Sequence, residues 1–179
     1  ELAKQAQVLN KYEEAVELWL KLISLVQVNP ESPEYKEISR VSSGEPLSEI
    51  YIQLASAYLM LDRYEEALAA ARKTMESKLK LKEYVYIYAH CEIIVGSLSK
   101  ALAALEELLK TTPGYMPAQF MMAVIFCLQE QKKRARALFQ ILQRERVQMT
   151  PHLNKLAKQL HSNGRRAEAL LILEATTEN

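Results

Sequence analysis

The chain has 179 residues, of which 49% are hydrophobic and 25% charged, with a formal net charge of +1, so it is apolar enough to fold and disorder of the whole is excluded. Only four Gly and six Pro are present while Ala, Leu, Glu, Lys and Gln dominate, which leaves little material for strand turns and points to an all-α fold. No stretch approaches the roughly 20 uncharged apolar residues that span a bilayer, and no basic-then-apolar leader opens the chain, so no membrane span and a cytoplasmic location are expected.

The chain opens at Glu1 in what reads as the middle of a helix, which predicts a trimmed or partial protein whose targeting signal, if any, lies outside it. Helices are expected near residues 1–9 and 12–28, the second running through Trp19 and Leu22. The segment from about 31 to 47 carries Pro33, Gly44 and Pro46 with Ser32, Ser39, Ser42 and Ser43, and a short helix-capable piece from Glu34 to Arg40. It reads either as a surface connection that shifts the packing of the first helices or as a contact for a partner, since long connections in compact repeats are often functional. Further helices are predicted near 48–61, 64–78, 82–95, 98–111, 116–129, 132–147, 150–162 and 165–176.

These helices fall into units with a period of 34 residues. In units beginning at Ser48, Lys82, Met116 and Thr150, alanines align as Ala55, Ala89, Ala123 and Ala157, and again as Ala67, Ala101, Ala135 and Ala169. A turn column of Asp62, Gly96, Glu130 and Gly164 lies between them, and larger residues recur as Leu54, Tyr88, Met122 and Leu156 and as Tyr58, Glu92, Phe126 and Leu160. The pattern implies two amphipathic helices per unit, joined by a tight turn, with small residues where helices cross and bulky ones between units. The run Asn10-Lys11-Tyr12-Glu13-Glu14-Ala15 repeats Asp62-Arg63-Tyr64-Glu65-Glu66-Ala67, which adds a unit at residues 1–30. Its offset of 52 is the period plus 18, so an insertion separates this unit from the next. One domain over 1–179 is expected, with units at about 1–30, 48–81, 82–115, 116–149 and 150–179.

In unit length, helix-turn-helix form and column residues, the chain resembles the tetratricopeptide repeat (TPR) family, over nearly all of it apart from the insertion. The resemblance implies an α-α superhelix, a solenoid of antiparallel helix pairs. The family's late proline is matched at Pro113 but replaced by Leu79 and Val147 elsewhere, and the early Trp is absent from the four in-register units. The related pentatricopeptide units that read RNA are usually 35 residues long, so a period of 34 favours the protein-binding branch.

The resemblance also implies that the first helix of each unit lines a concave groove. Carried onto this chain, the lining is Ile52, Ser56, Leu59 and Met60, then Tyr86, His90, Ile93 and Ile94, then Phe120, Val124, Cys127 and Leu128, and last Asn154, Lys158, His161 and Ser162. Such a groove is apolar and aromatic in the middle and turns polar and positive at its C-terminal end. It would suit a protein or peptide segment with apolar anchors and an acidic group at one end, and methionines would let it adapt. Alternatively the array closes its own groove, making these residues core, or associates with copies of itself. The clamp by which some chaperone-binding members hold a carboxylate is not expected: its positions hold Ile52, Ser56, Ile87, Pro117 and Met121, and Asn154 and Lys158 have the residue types reversed.

Charge is unevenly spread. From Lys132 to Arg166 ten basic residues stand against Glu145 alone, a local balance of +9, and the rest of the chain carries −8. Lys132, Lys133, Arg134, Arg136, Arg165 and Arg166 form a candidate basic patch, read either as a solvated face or as a site for an acidic protein, with nucleic acid the less favoured partner.

Catalytic, cofactor and metal sites are not expected. Asp62 is the only aspartate and sits in the turn column, His90, His152 and His161 lack ligand spacing to carboxylates or cysteines, and no glycine-rich phosphate loop occurs. Cys91 and Cys127, 36 residues apart, read as small apolar residues packed in helices. The expected function is a non-enzymatic scaffold or adaptor that holds a partner segment. The alternatives are a dedicated chaperone for an exported or membrane-inserted subunit and a structural homo-oligomer.

Overall fold

The computed structural model describes residues 2–9, 11–28, 33, 36, 46–76, 81–145 and 147–177. Among them every regular element is a helix: α1 (Leu2–Val8), α2 (Tyr12–Val28), α3 (Pro46–Met60), α4 (Tyr64–Met75), α5 (Lys82–Val95), α6 (Leu98–Thr111), α7 (Met116–Leu128), α8 (Lys132–Arg144), α9 (Thr150–Ser162) and α10 (Arg166–Thr177). The expected insertion lies almost wholly outside the described residues. Helix α3 starts at Pro46, earlier than the periodicity suggests, because proline lacks only an amide that the first turn leaves unbonded anyway. Pro117 and Pro151 occupy the first turns of α7 and α9 for the same reason.

The turn column explains why the helices break every 34 residues. Asp62 and Glu130 have φ of 57°, Gly96 115° and Gly164 78°, so all four turn residues are left-handed. A residue in that conformation reverses the chain after a helix and lets the next amide reach back. The amides of Arg63, Ser97, Gln131 and Arg165 donate to the carbonyls of Tyr58, Glu92, Phe126 and Leu160 at 3.0, 2.8, 2.8 and 2.9 Å. The carbonyls of Arg63, Ser97, Gln131 and Arg165 then accept from the amides of Ala67, Ala101, Ala135 and Ala169, which starts the following helix. At the N-terminus, Lys11 donates to Ala6 at 2.8 Å and accepts from Ala15 at 3.0 Å, the same pair of hydrogen bonds in the displaced unit.

Both alanine columns are buried, with Ala55, Ala67, Ala89, Ala101 and Ala123 fully so. A larger side chain there would hold the helices apart.

The chain packs as two compact halves, residues 1–91 and 92–179, and α5 crosses the boundary. In the first half α1 lies on α2, α2 on α3, and α3 on α4. Ile50, Ile52, Leu54, Ala55, Ala57, Tyr58 and Leu59 bury nearly the whole circumference of α3, the mark of a central helix. In the second half α7 has that role: it packs on α6, α8 and α10, and α9 pairs with α10.

Candidate functional site

The expected groove lining separates into two kinds of residue. In the first half Ser56, Tyr86 and His90 are half-buried and Met60 is 45% exposed, whereas Ile52 is core. In the second half Ile94 and Val124 have no exposed surface and Phe120 is buried, while Asn154 and Lys158 are exposed on α9. The buried members are therefore core side chains, and the lining that remains open in the first half is carried by α3 and α5.

The geometry there follows from local sequence. Tyr86 and His90 are one helical turn apart on α5, and their rings meet edge to face, with centroids 6.2 Å apart at 86°. Burial pushes the Tyr86 phenol above its ordinary value, so it stays a neutral hydroxyl at physiological pH. Ser56 spends its hydroxyl on the Ile52 carbonyl at 2.9 Å, which leaves mainly its methylene surface for a ligand. Helices α3 and α5 are tied together by Glu49, whose carboxylate accepts from the Tyr84 hydroxyl at 3.4 Å and from Gln53 at 3.1 Å. Gln27 reaches from α2 to the Tyr51 hydroxyl at 3.4 Å.

In the second half α10 lies against α7, and the Cys127 thiol donates to the Leu171 carbonyl at 3.4 Å. Phe120 meets His152 edge to face at 5.9 Å and 64°. The turn between α9 and α10 reaches the end of α5: Asn163 Nδ2 donates to the Ile94 carbonyl at 2.9 Å, and Arg165 donates to the carbonyls of Ile93 and Ile94. Val124, the counterpart of His90 in the following repeat, is thus enclosed by the protein itself.

The six cations of the expected basic patch also separate. Arg165 is turned onto those carbonyls and Glu168, with 16% of its side chain exposed. Arg134 lies over the Phe126 ring at 3.9 Å and bonds Gln131 at 2.9 Å. Lys132, Lys133 and Arg136 are exposed on α8, and Arg166 on α10. The capture of Ile94 by Arg165 and Asn163 was not foreseen. The one available signal is the Arg-x-x-Glu spacing shared by Arg63–Glu66 and Arg165–Glu168, which specifies the local pairs at each helix start and says nothing of a partner 71 residues away.

Chemically, the open face offers aromatic edges, an imidazole, a phenol donor and a thioether, a set suited to holding an apolar segment. Among the described residues no group of three or more His, Cys, Asp or Glu could hold a metal ion, and no helix is long and apolar enough to cross a membrane.

Known proteins place this architecture. MamA superposes with a TM-score of 0.63 at 12% identity, over 99% of this chain and 96% of its own. YrrB, a TPR protein with an unusual peptide-binding site, gives 0.60 at 13% identity, over 96% of this chain and 79% of its own. TTC0263, a thermophilic TPR protein of Thermus thermophilus, gives 0.56 at 21% identity, over 99% and 87%. No curated protein sequence matches the chain. The solved structures share its fold, that of a TPR helical solenoid, and residues 2–141 match the model of the tetratricopeptide repeat protein 21 ARM repeat, so the chain belongs to that family.

Proposed function

We propose that this protein is a non-catalytic interaction scaffold that holds an apolar segment of a partner protein on the α3–α5 face, with Tyr86 and His90 as central contacts. The observation that carries the reading is the half-buried Tyr86–His90 pair, at columns where the next repeat has Phe120 and Val124 buried. An aromatic pair left partly in water on an otherwise packed helix is a natural anchor point, because aromatic side chains carry much of the energy at interfaces. Met60, exposed on the preceding first helix, adds an adaptable apolar contact. The peptide-binding site of YrrB, a neighbour in fold, supports this kind of use.

The test is affinity capture from a cell extract with the wild-type chain and with Tyr86→Ala/His90→Ala as baits, comparing retained proteins by mass spectrometry. The variant should keep its helicity and unfolding midpoint and lose about tenfold or more of the proteins specific to the wild type. Undiminished capture by a folded variant would remove the site assignment.

A further inference from the structure

Helix α8 departs from its sister helices at the positions where a helix is most sensitive to charge. Three other second helices of the array open with acids: Glu13 and Glu14 on α2, Glu65 and Glu66 on α4, Glu168 on α10. The columns of Glu65 and Glu66 hold Ser99 and Lys100 on α6, and on α8 they hold Lys133 and Arg134, preceded by Lys132. The first turns of α6 and α8 both lack an acid, and that of α8 carries three cations where that of α6 carries one. A helix N-terminus carries partial positive charge, so acids there stabilise and cations oppose the dipole. The reversal on α8 works against its own helix, and local rules of this kind are broken most often where function requires it.

Arg134 lies on Phe126, and Arg165 is turned onto the α5 carbonyls. What faces solvent is a stripe on α8 at helical spacing: Lys133, Arg136, Ala137, Gln140, Ile141 and Arg144, all exposed. Ile141 is 42% exposed and stands between Arg136 and Arg144. The sequence of α8 itself contains no acid, and Glu145 follows just beyond its C-terminal end.

We infer that the outer face of α8 is a second docking surface, and that it takes an acidic helical segment of a partner protein. Glutamates of the partner lie against Lys132, Lys133, Arg136 and Arg144, and one apolar side chain covers Ala137 and Ile141. Charge complementarity selects an acidic partner. The apolar centre selects protein over nucleic acid, since a phosphate backbone gains nothing from covering an isoleucine. Acids docking at Lys132 and Lys133 supply the negative charge that α2 and α4 carry in their own sequence. The surface uses neither Tyr86 nor His90, so the two proposals stand or fall independently.

The probe is a fluorescein-labelled amphipathic helical peptide with glutamates flanking one leucine, titrated with the full chain by fluorescence anisotropy at low salt. A peptide with glutamine in place of glutamate and a labelled duplex DNA serve as comparisons. The acidic peptide should bind about tenfold or more tighter than the glutamine peptide, and Lys132→Glu/Lys133→Glu should lose that advantage while raising the unfolding midpoint. Ile141→Asn should weaken the peptide by about threefold or more and leave any duplex binding unchanged. Tyr86→Ala should leave peptide binding intact. Equal affinity for the two peptides, or undiminished binding by the double variant, overturns the proposal. Duplex binding as tight as the acidic peptide, with no effect of Ile141→Asn, overturns it in favour of a general polyanion surface.

Discussion

Arg165 donates from Nη1 to the main-chain carbonyl of Ile94 at 3.1 Å, a contact between residues 71 apart in the chain. The same guanidinium reaches Ile93, and Asn163 donates to Ile94 as well. The last carbonyls of a helix lack intrahelical donors, so these two side chains satisfy groups that α5 cannot satisfy itself. Arg165→Ala is expected to destabilise the protein by about 1–3 kcal/mol. Arg165→Lys should recover only part of this, because an ammonium has one nitrogen and cannot hold the carbonyls and Glu168 from separate positions as Nη1 and Nε do. Thermal unfolding followed by circular dichroism checks both, and an unchanged midpoint in the alanine variant would show that water serves those carbonyls equally well.

The left-handed turns make opposite predictions at two positions of one column. Glu130 has φ of 57° with a side chain present, and Gly96 has φ of 115° without one. Glu130→Gly should stabilise by about 1 kcal/mol, the strain of a side chain in that region. Gly96→Ala should destabilise by about 1–3 kcal/mol through φ and not through collision, since its Cβ would meet only the Arg165 guanidinium at an ordinary 3.8 Å. Asp62→Gly should gain less than Glu130→Gly, because it also removes the acceptor of the Tyr64 hydroxyl at 2.6 Å. Denaturant midpoints measured together decide the order.

The two cysteines should differ in access. Cys91 has no exposed surface, whereas Cys127 is half-buried at the contact of α7 with α10. A small alkylating reagent should label Cys127 under native conditions and Cys91 only on unfolding. Arg165→Ala should speed labelling of Cys127 if the α9–α10 turn holds α10 in place. Mass spectrometry of timed samples reads both rates, and equal rates in the wild type would contradict the burial difference.

Acid stability should depend on two carboxylates at helix starts. The hydrogen bond from Arg63 holds the Glu66 carboxyl below its ordinary 4.5. Glu168 is held below the same value, first by a hydrogen bond from its own backbone amide and then by Arg165. Both titrate lower in the folded state, so the unfolded chain takes up protons first as pH falls. Their contribution is therefore complete above about 4.5 and is lost as pH drops through the folded values. The Arg63–Glu66 pair faces solvent, so its share is small, while Arg165–Glu168 is half-buried and less screened. Glu66→Gln/Glu168→Gln should show a shallower decline of unfolding midpoint with acid than the wild type, and identical slopes would exclude these groups.

The amino-acid sequence by itself determined the repeat and its register. Asp62, Gly96, Glu130 and Gly164 could be aligned because a left-handed turn, the amide that closes it and the alanine that opens the next helix lie within a few residues of one another. Helix starts at Tyr64, Leu98 and Lys132 were legible for that reason, and those at Tyr12, Lys82, Met116 and Thr150 from the repeat pattern. The candidate site was legible only as columns. Tyr86 and Phe120 share one column, as His90 and Val124 share another, yet one pair is half-buried and the other is core. What separates them is what packs across each helix, as α10 does across α7, and no spacing along one helix encodes that. The basic patch came apart for the same reason: whether an arginine meets water, a ring or a carbonyl is decided by neighbours far away in the chain. Local hydrogen bonding writes the period into the sequence, while burial is a property of the whole packed chain and is settled only by the tertiary structure.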